Sequence, residues 1–471
     1  RLVAERAHSA REAVDIATKL LAEFGYFHDG RTYTFADANE AWQLAIHQGN
    51  SWVARKIHDN EVVYIPNNFL MDKVDLNDKE TWKIEPKQVE RAIKDGRHDA
   101  KNPIFNWRKV VAQESVRHER WNANRNVLAW KFLTGVEYND PEKFPYSAVI
   151  DRKLGVKDAM ALLRLHEDYI GQDQELYHSK SEGICRTTSH DSIVYNLTAD
   201  PTLTEAWKTL GRPCQSVFVP LYPLAGPAKG TAFTDPATAT KEHFAGTPAM
   251  FDYRADFTPH SVFSASNNAI DYLRGDELAK RTQLIQAEED KFMKDRAAVT
   301  KKAAGLKGEE RTKFLHDYNQ KSYDHVLKIM QAENARLMPN KVKILADVVK
   351  ADGDGTVDFA LLGAKGHEVL SANMEATRAG MSANQLNSTR QWKNFAPAEK
   401  MVYKDVNNDG ITDVVFTFKA KDVTKGAVAG AAMDLWLYTQ INGHRVTGFD
   451  VVPVENDKVK MNKGARDGKG L

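Results

Sequence analysis

The hydrophobic pattern of the first 70 residues changes once, from the period of a helix to that of strands. Residues 1–26 carry apolar side chains at helical spacing, among them Val3, Val14 and Phe24. Turn-forming runs of Asp, Asn and Gly then separate short segments of strand pattern, which are residues 32–35, 41–46, 52–57 and 62–65. The pattern predicts a helix packed against an antiparallel meander.

Beyond this meander the pattern predicts helices first. Residues 76–170 have mostly helical periodicity, whereas residues 220–248, rich in Pro, Gly, Ala and Thr, predict a long surface loop. Two long, charged helical stretches with Gly305 and Gly308 between them predict a helical hairpin at about residues 268–337. We interpret the charges of this hairpin as a solvent-exposed face.

These patterns divide the chain into three parts. Residues 1–340 are expected to form one domain of helices and strands, and residues 341–456 a mainly-β module of short strands and turns. Residues 457–471 are basic and Gly-rich, which predicts a disordered tail. The expected fold class is therefore α+β.

Composition removes several classes of protein. Lys and Arg number 65 against 64 Asp and Glu, so there is no electrostatic basis for binding nucleic acid or an anionic membrane. No apolar run approaches the roughly 18 residues that span a bilayer. The two cysteines, Cys185 and Cys214, are too few for a disulfide scaffold and lack the spacing of a zinc site. They could form one disulfide, although buried free thiols are the favoured state.

One short segment has the spacing of a calcium loop. Positions one, three, five and nine of the loop carry oxygen ligands, which are Asp405, Asn407, Asp409 and Asp413. Position six is Gly410, and position seven offers the backbone carbonyl of Ile411. Position twelve is Phe416 within a strand pattern, so the sequence predicts a structural Ca²⁺ site that joins strands. The alternative is a metal-free turn, because Asn, Asp and Gly favour turns for local reasons.

A second Asp-rich loop has a weaker pattern. Asp352, Asp354 and Asp358 are its candidate ligands, but its first position is Lys350, which cannot bind a cation. Binding and absence of a metal stand as equal alternatives for this loop.

Six blocks, in the same order, resemble the C69 peptidase family of dipeptidases, which are relatives of the secernins. They are residues 6–13 (RAHSAREA), 34–42 (TFADANEAW), 49–55 (GNSWVAR), 62–69 (VVYIPNNF), 183–190 (GICRTTSH) and 213–222 (PCQSVFVPLY). The similarity covers roughly residues 1–340. No single block is decisive, and their ordered combination carries the resemblance.

The resemblance implies an αββα sandwich of the N-terminal-nucleophile hydrolases. In such enzymes an N-terminal cysteine attacks an amide carbonyl while its own α-amino group transfers the proton. This sequence departs from that pattern, because Arg1 stands at its start. We therefore expect the nucleophile on an upstream segment, an N-terminal fragment of the same precursor, and we expect residues 1–471 alone to be inactive.

Two residues match site positions of the family. Asn67 matches an asparagine that lies near the oxyanion, and Arg186 matches an arginine that orients the nucleophile and carboxylate groups. The structural alternatives are that Asn67 caps a turn with Asn68 and that Arg186 pairs with a structural carboxylate. Both alternatives remain open from the sequence alone.

The expected function follows from these features together. The protein is predicted to be a cysteine-dependent peptidase or amidohydrolase of the dipeptidase type, acting on a peptide or small amide. The calcium loop favours a secreted or periplasmic location, where millimolar Ca²⁺ fills weak sites. The alternative is a non-catalytic structural or surface-assembly protein on the same scaffold, and either form leaves room for a homo-oligomer.

Overall fold

The structure is a computed structural model, and it covers most of the chain. The described residues are 2–112, 114–166, 183–186, 189, 191–209, 211–228, 275–337, 340–381, 395–425, 427, 429–441 and 444–460. Most of the predicted loop at 220–248 and of the predicted tail at 457–471 lies outside them. In the described part, no helix combines the length and the apolar character that crossing a membrane requires.

Helices occur in every part of the described chain. They are Ala10–Phe24 (α1), Pro86–Lys94 (α2), Trp107–Val111 (α3), Glu114–His118 (α4), Arg120–Thr134 (α5), Val156–Leu163 (α6), Gly275–Gly305 (α7), Gly308–Leu337 (α8) and Ala420–Val423 (α9). The pair α7 and α8 occupies residues 275–337 of the predicted helical hairpin.

The strands of the N-terminal part are mostly short. They are Arg31–Ala36 (β1), Ala41–His47 (β2), Ser51–Ile57 (β3), Glu61–Val63 (β4), Val74–Asp75 (β5), Trp82–Ile84 (β6), Ile104–Phe105 (β7), Ser147–Val149 (β8), Ile193–Asn196 (β9), Glu205–Lys208 (β10) and Val219–Leu221 (β11).

The C-terminal part contains the longer strands. They are Val342–Ile344 (β12), Val349–Lys350 (β13), Thr356–Leu361 (β14), Arg378–Met381 (β15), Ala396–Pro397 (β16), Lys400–Lys404 (β17), Asp413–Lys419 (β18), Ala431–Ile441 (β19) and His444–Glu455 (β20). Helices and strands together confirm the α+β class, and the αββα arrangement of layers stays a prediction.

Helix α1 packs on an antiparallel sheet in the order β1-β2-β3-β6. Val14 and Leu21 on the helix contact a buried cluster that includes Trp42 of β2. The helix begins at Ala10 and not at residue 1, because the Ser9 hydroxyl caps it by accepting from the backbone N–H of Glu12 at 3.1 Å. The predicted N-terminal boundary of this helix is therefore wrong.

The predicted strand at 62–65 does not extend the meander. Strand β4 pairs instead with β8, and the fourth strand of the meander sheet is β6, which the sequence pattern did not identify. Three-residue strands are too short for a clear alternating pattern, so their pairing depends on tertiary contacts. This pairing places the segment after β4 beside the helical region that contains α5.

The helical hairpin covers one face of the sheet formed by β11, β10 and β9. Ile285 and Phe292 of α7 and Met330 of α8 join one hydrophobic cluster with Trp207 and Phe218. Several polar hairpin residues are buried in the same region, and they are Arg281, Glu288, Glu289, Asn319 and Ser322. Arg281, Glu288 and Glu289 are therefore buried exceptions to the interpretation of the hairpin charges as a solvent-exposed face.

The C-terminal module has two sheets that share one core. One sheet has the order β12-β14-β18-β17 and the other β13-β20-β19-β15-β16. Phe359 and Phe416 of the first sheet and Leu437 and Val452 of the second lie in one buried cluster. The burial of apolar side chains from both sheets is what stabilises this module.

We expect Asn319→Ala to destabilise the hairpin contact. The Asn319 side chain accepts from the backbone N–H of Tyr222 at 2.8 Å and donates to the carbonyls of Tyr222 and Gly226, both at 3.0 Å. The substitution leaves these buried groups unpaired, so the free energy of unfolding should fall by about 2–4 kcal/mol. Chemical denaturation measures this change. Lys313→Ala, an exposed position on the same helix, serves as the control, and an equal effect of both variants would refute the assignment.

Candidate active site and metal loops

Tyr64 lies in the N-terminal domain near two guanidiniums, those of Arg125 and Arg186. It follows β4 directly and meets the ring of Trp130 of α5 edge to face, with 6.5 Å between ring centroids. Burial raises the pKa of Tyr64 to about 12, against the opposing influence of the Arg125 and Arg186 guanidiniums. The phenol is therefore a neutral hydrogen-bond donor at physiological pH.

Arg125 is a buried cation, with 6% of its surface exposed. Its Nε donates to the carbonyl of Trp121 at 2.7 Å, and the guanidinium lies over the Trp121 ring at 4.7 Å. Among the described residues, no carboxylate pairs with it. Burial and, next, the charge of Arg186 lower the pKa of Arg125 to about 10, so it still carries its charge at neutral pH.

Arg186 brings a second guanidinium to the same place. Its backbone N–H donates to the Ser189 hydroxyl at 3.2 Å, and its charge acts on both Tyr64 and Arg125. It forms no ion pair with any carboxylate in the described part of the chain. Two like charges and a neutral phenol in one partly buried region form a place that favours an anion.

Asn67 and its neighbour Asn68 lie in the loop that follows Tyr64. Asn67 is exposed, so its amide is accessible to a ligand. The Asn68 amide donates to the Phe69 carbonyl at 3.3 Å, and its Oδ1 is buried with no hydrogen-bond partner among the described residues. The structure thus places Asn67 and Tyr64 on one short segment, while Arg186 reaches that region from a distant loop.

Sequence reasoning named Arg186 and Asn67 as candidates and did not name Tyr64 or Arg125. Tyr64 lies within the matched block at 62–69, so the resemblance to the family could have identified it as a candidate. Arg125 lies in a helix rich in polar residues and has no local signal, because only tertiary packing shows that it is buried without a carboxylate.

The acceptor side chains of the loop before β18 turn inward onto the backbone of the same loop. The two carboxylate oxygens of Asp405 accept from the backbone N–H groups of Asp409 and Gly410, at 3.3 and 2.9 Å. Asn407 accepts from the Asp409 N–H at 3.3 Å, and Asp409 accepts from the Ile411 N–H at 2.8 Å. Gly410 has φ +83°, a left-handed conformation that glycine adopts without strain. The exposed side chains of Asp405, Asn407 and Asp409 therefore line one short loop.

Asp413 has a different position from the other predicted ligands. It is fully buried, and its two oxygens accept from the backbone N–H groups of Gly363 and Val406, both at 2.8 Å. This carboxylate joins the end of the loop to the start of β18 and to the segment after β14. Its first role is therefore structural, with or without a metal.

The second Asp-rich loop does not bring its candidate ligands together. Asp352 accepts from the backbone N–H of Asp457, Asp354 pairs with Lys421 at 3.1 Å, and Asp358 accepts from the Thr417 hydroxyl at 2.6 Å. The three carboxylates serve separate partners. Metal binding there stays a prediction that this geometry does not favour.

Comparison with known proteins identifies a family that matches the N-terminal half of the chain. The model of peptidase family C69 matches residues 1–244. The chain is 23% identical over 231 residues to the "Probable dipeptidase" of Latilactobacillus sakei, covering 47% of this chain and 48% of that protein. It is 28% identical over 275 residues to the "Probable dipeptidase B" of Lactococcus lactis subsp. lactis (strain IL1403), covering 54% of this chain and 52% of that protein.

A third relative matches a shorter stretch. The "Probable dipeptidase B" of Streptococcus pyogenes serotype M1 is 30% identical over 164 residues, covering 33% of this chain and 31% of that protein. The chain thus spans about half or less of the length of these curated relatives. Since the family model covers more than half of the 471 residues, this chain belongs to peptidase family C69.

Proposed function

We propose that the complete protein is a cysteine-dependent peptidase that hydrolyses dipeptides. Membership of family C69 and the names of the relatives support this class of reaction. The observation that carries the proposal is the pair of guanidiniums of Arg125 and Arg186 beside Tyr64, which no described carboxylate neutralises. The ligand that suits this site is a small molecule with its own carboxylate.

A dipeptide offers that carboxylate close to its scissile bond. The C-terminal carboxylate lies one residue from the peptide bond, so a fixed carboxylate site also fixes the carbonyl that is attacked. Arg125 and Arg186 repel each other, and a bound carboxylate relieves this repulsion while each guanidinium donates to it. The Tyr64 hydroxyl supplies a further neutral donor.

The chemical step in this proposal uses an N-terminal cysteine, as the family resemblance implies. Its thiolate adds to the peptide carbonyl, the leaving amine takes a proton, and water then hydrolyses the thioester. Neither Cys185 nor Cys214 can take this role, because both are internal to the chain and have no free α-amino group. Asn67, exposed on the loop after Tyr64, is our candidate donor to the oxyanion.

Replacing Arg125 tests the carboxylate site. In the complete protein, Arg125→Gln should raise KM for a dipeptide about 10- to 100-fold with a smaller change in kcat, since a hydrogen-bonded charge is lost from substrate binding. The same variant should hardly change the already weak hydrolysis of the corresponding dipeptide amide. Steady-state kinetics on both substrates measure the difference.

The control is Arg120→Gln, which removes an exposed guanidinium from the same helix. An equal rise in KM for dipeptide and amide would contradict the carboxylate assignment. If the complete wild-type protein cleaves no dipeptide, the peptidase proposal itself fails and the non-catalytic scaffold remains.

Asn67→Ala tests the oxyanion assignment in the same assay. We expect kcat to fall about 10²- to 10³-fold with little change in KM, because the lost hydrogen bond forms in the transition state. Asn39→Ala removes another exposed asparagine and should retain full kcat. A normal kcat for Asn67→Ala would leave that residue with the turn-forming role alone.

The proposal includes a structural Ca²⁺ in the loop of Asp405, Asn407 and Asp409, with the backbone carbonyl of Ile411 as a further ligand. The crowded carboxylates and the inward arrangement of this loop support it, because a cation removes their mutual repulsion. A weak site of this kind is filled where Ca²⁺ is millimolar, so we also propose a secreted or periplasmic location.

Calcium removal gives the corresponding prediction. A chelator should lower the Tm of the C-terminal module by several degrees, and excess Ca²⁺ should restore it, since a ligand that binds only the folded state stabilises it. Asp409→Ala should abolish the difference, whereas Glu399→Ala, which removes a carboxylate outside both loops, should preserve it. Identical melting curves of the wild type with and without chelator would exclude the site.

A further inference from the structure

Three soft metal-binding side chains meet in the N-terminal domain. The sulfur atoms of Cys185 and Cys214 lie 3.4 Å apart although 29 residues separate them in sequence. A ring nitrogen of His166 and both sulfurs all lie within 4.8 Å of one another. Cys185 is 1% exposed, and the other two residues are partly buried. In the described part of the chain, these are the only three His, Cys, Asp or Glu residues that meet so closely.

The turn that carries Cys214 is held in place by two guanidiniums, of which Arg281 is buried and Arg164 is partly buried. Arg164 donates to the carbonyls of Pro213 and Ser216, at 2.8 and 3.3 Å. Arg281 donates to the carbonyl of Gln215 at 2.7 Å. Carbonyls on both sides of the cysteine are thus fixed, so the position of its sulfur is set before any ligand arrives.

Cys185 and His166 are brought together by their backbones. The N–H of Cys185 donates to the carbonyl of Leu165 at 2.9 Å. Gly183 makes this approach feasible, because a Cβ there would lie 3.1 Å from the Cα of His166 and 2.8 Å from the carbonyl oxygen of Cys185. Only a glycine lets the two segments approach this closely.

We propose that His166, Cys185 and Cys214 bind one Zn²⁺ ion. Thiolate and imidazole are the ligands that zinc prefers, and two cysteines with one histidine form a known kind of three-ligand set. Two sulfurs bound to one zinc at about 2.3 Å each in tetrahedral geometry lie about 3.8 Å apart, close to the separation found here. A disulfide would need them to approach to about 2.05 Å.

Zinc binding can be measured without the proposed peptidase activity, so the two proposals can fail separately. The consequence of zinc binding is local, because Cys185 immediately precedes Arg186. An ion bound to the Cys185 sulfur holds the backbone from which the Arg186 guanidinium extends.

Metal binding by the complete protein tests the proposal. The reduced protein, stripped with a chelator, is loaded with Zn²⁺, dialysed and assayed by elemental mass spectrometry, and separately titrated with Co²⁺. We expect one Zn²⁺ per chain and a thiolate-to-cobalt charge-transfer band. Cys214→Ser and His166→Ala should weaken Zn²⁺ binding by more than about 100-fold, whereas His367→Ala, an exposed histidine of the C-terminal module, should leave it unchanged.

Two results would overturn the zinc site. One is a disulfide, which would be shown by an unreduced protein whose mass is two hydrogens below that of the reduced protein, together with no uptake of Zn²⁺ by the reduced protein. The other is reduced wild type with two titratable thiols and no charge-transfer band, which would show two packed thiols. His166→Ala keeps both cysteines, so it tests the site even if Cys214→Ser fails to fold. A normal melting curve of His166→Ala together with lost Zn²⁺ binding would identify His166 as a metal ligand and not as a packing residue.

Discussion

The carboxylate of Glu289, supplied by the first long helix of the hairpin, holds Arg164 and the backbone at Phe218 against that helix. Its oxygens accept from both terminal nitrogens of Arg164, at 2.9 and 2.5 Å, and from the backbone N–H of Phe218 at 2.8 Å. Arg164 in turn donates to the turn that carries Cys214. Removing Glu289 would leave a guanidinium with no compensating charge in a mostly buried place, which is far more costly than losing a surface ion pair.

Arg164, which is partly buried, and Arg125, which is buried, show two different uses of a cation in one domain. Arg164 faces a carboxylate and backbone carbonyls, so its charge is compensated within the fold. Arg125 lies over an aromatic ring and donates to a backbone carbonyl, and the nearest charge acting on it is the like charge of Arg186. A fold gains no stability from such a repulsive pair. The arrangement is understandable if an anion completes it during function.

The sequence predicts what depends on local spacing and fails where distant residues meet. The meander follows from alternation and turns, and the inward loop at Asp405 from its spacing, because neighbours in sequence make these contacts. The partner of β4 lies about 85 residues away, and no pattern identifies it. Glu289 is buried although it lies in a charged helix, and Cys185 contacts Cys214 although 29 residues separate them. Both features depend on tertiary packing, and spacing along the chain predicts neither.

Arg186 illustrates how a loop without regular structure can serve a site that requires precision. A catalytic or binding group must be held to within about 0.5 Å, and a helix or strand usually provides that rigidity. Residues 183–186, the described residues next to this guanidinium, form neither. Its rigidity must come from anchors, which are the hydrogen bond of the Cys185 N–H to Leu165 and the contact of the Cys185 sulfur with Cys214. A bond at that sulfur, one residue before Arg186, would therefore hold the backbone from which the guanidinium extends.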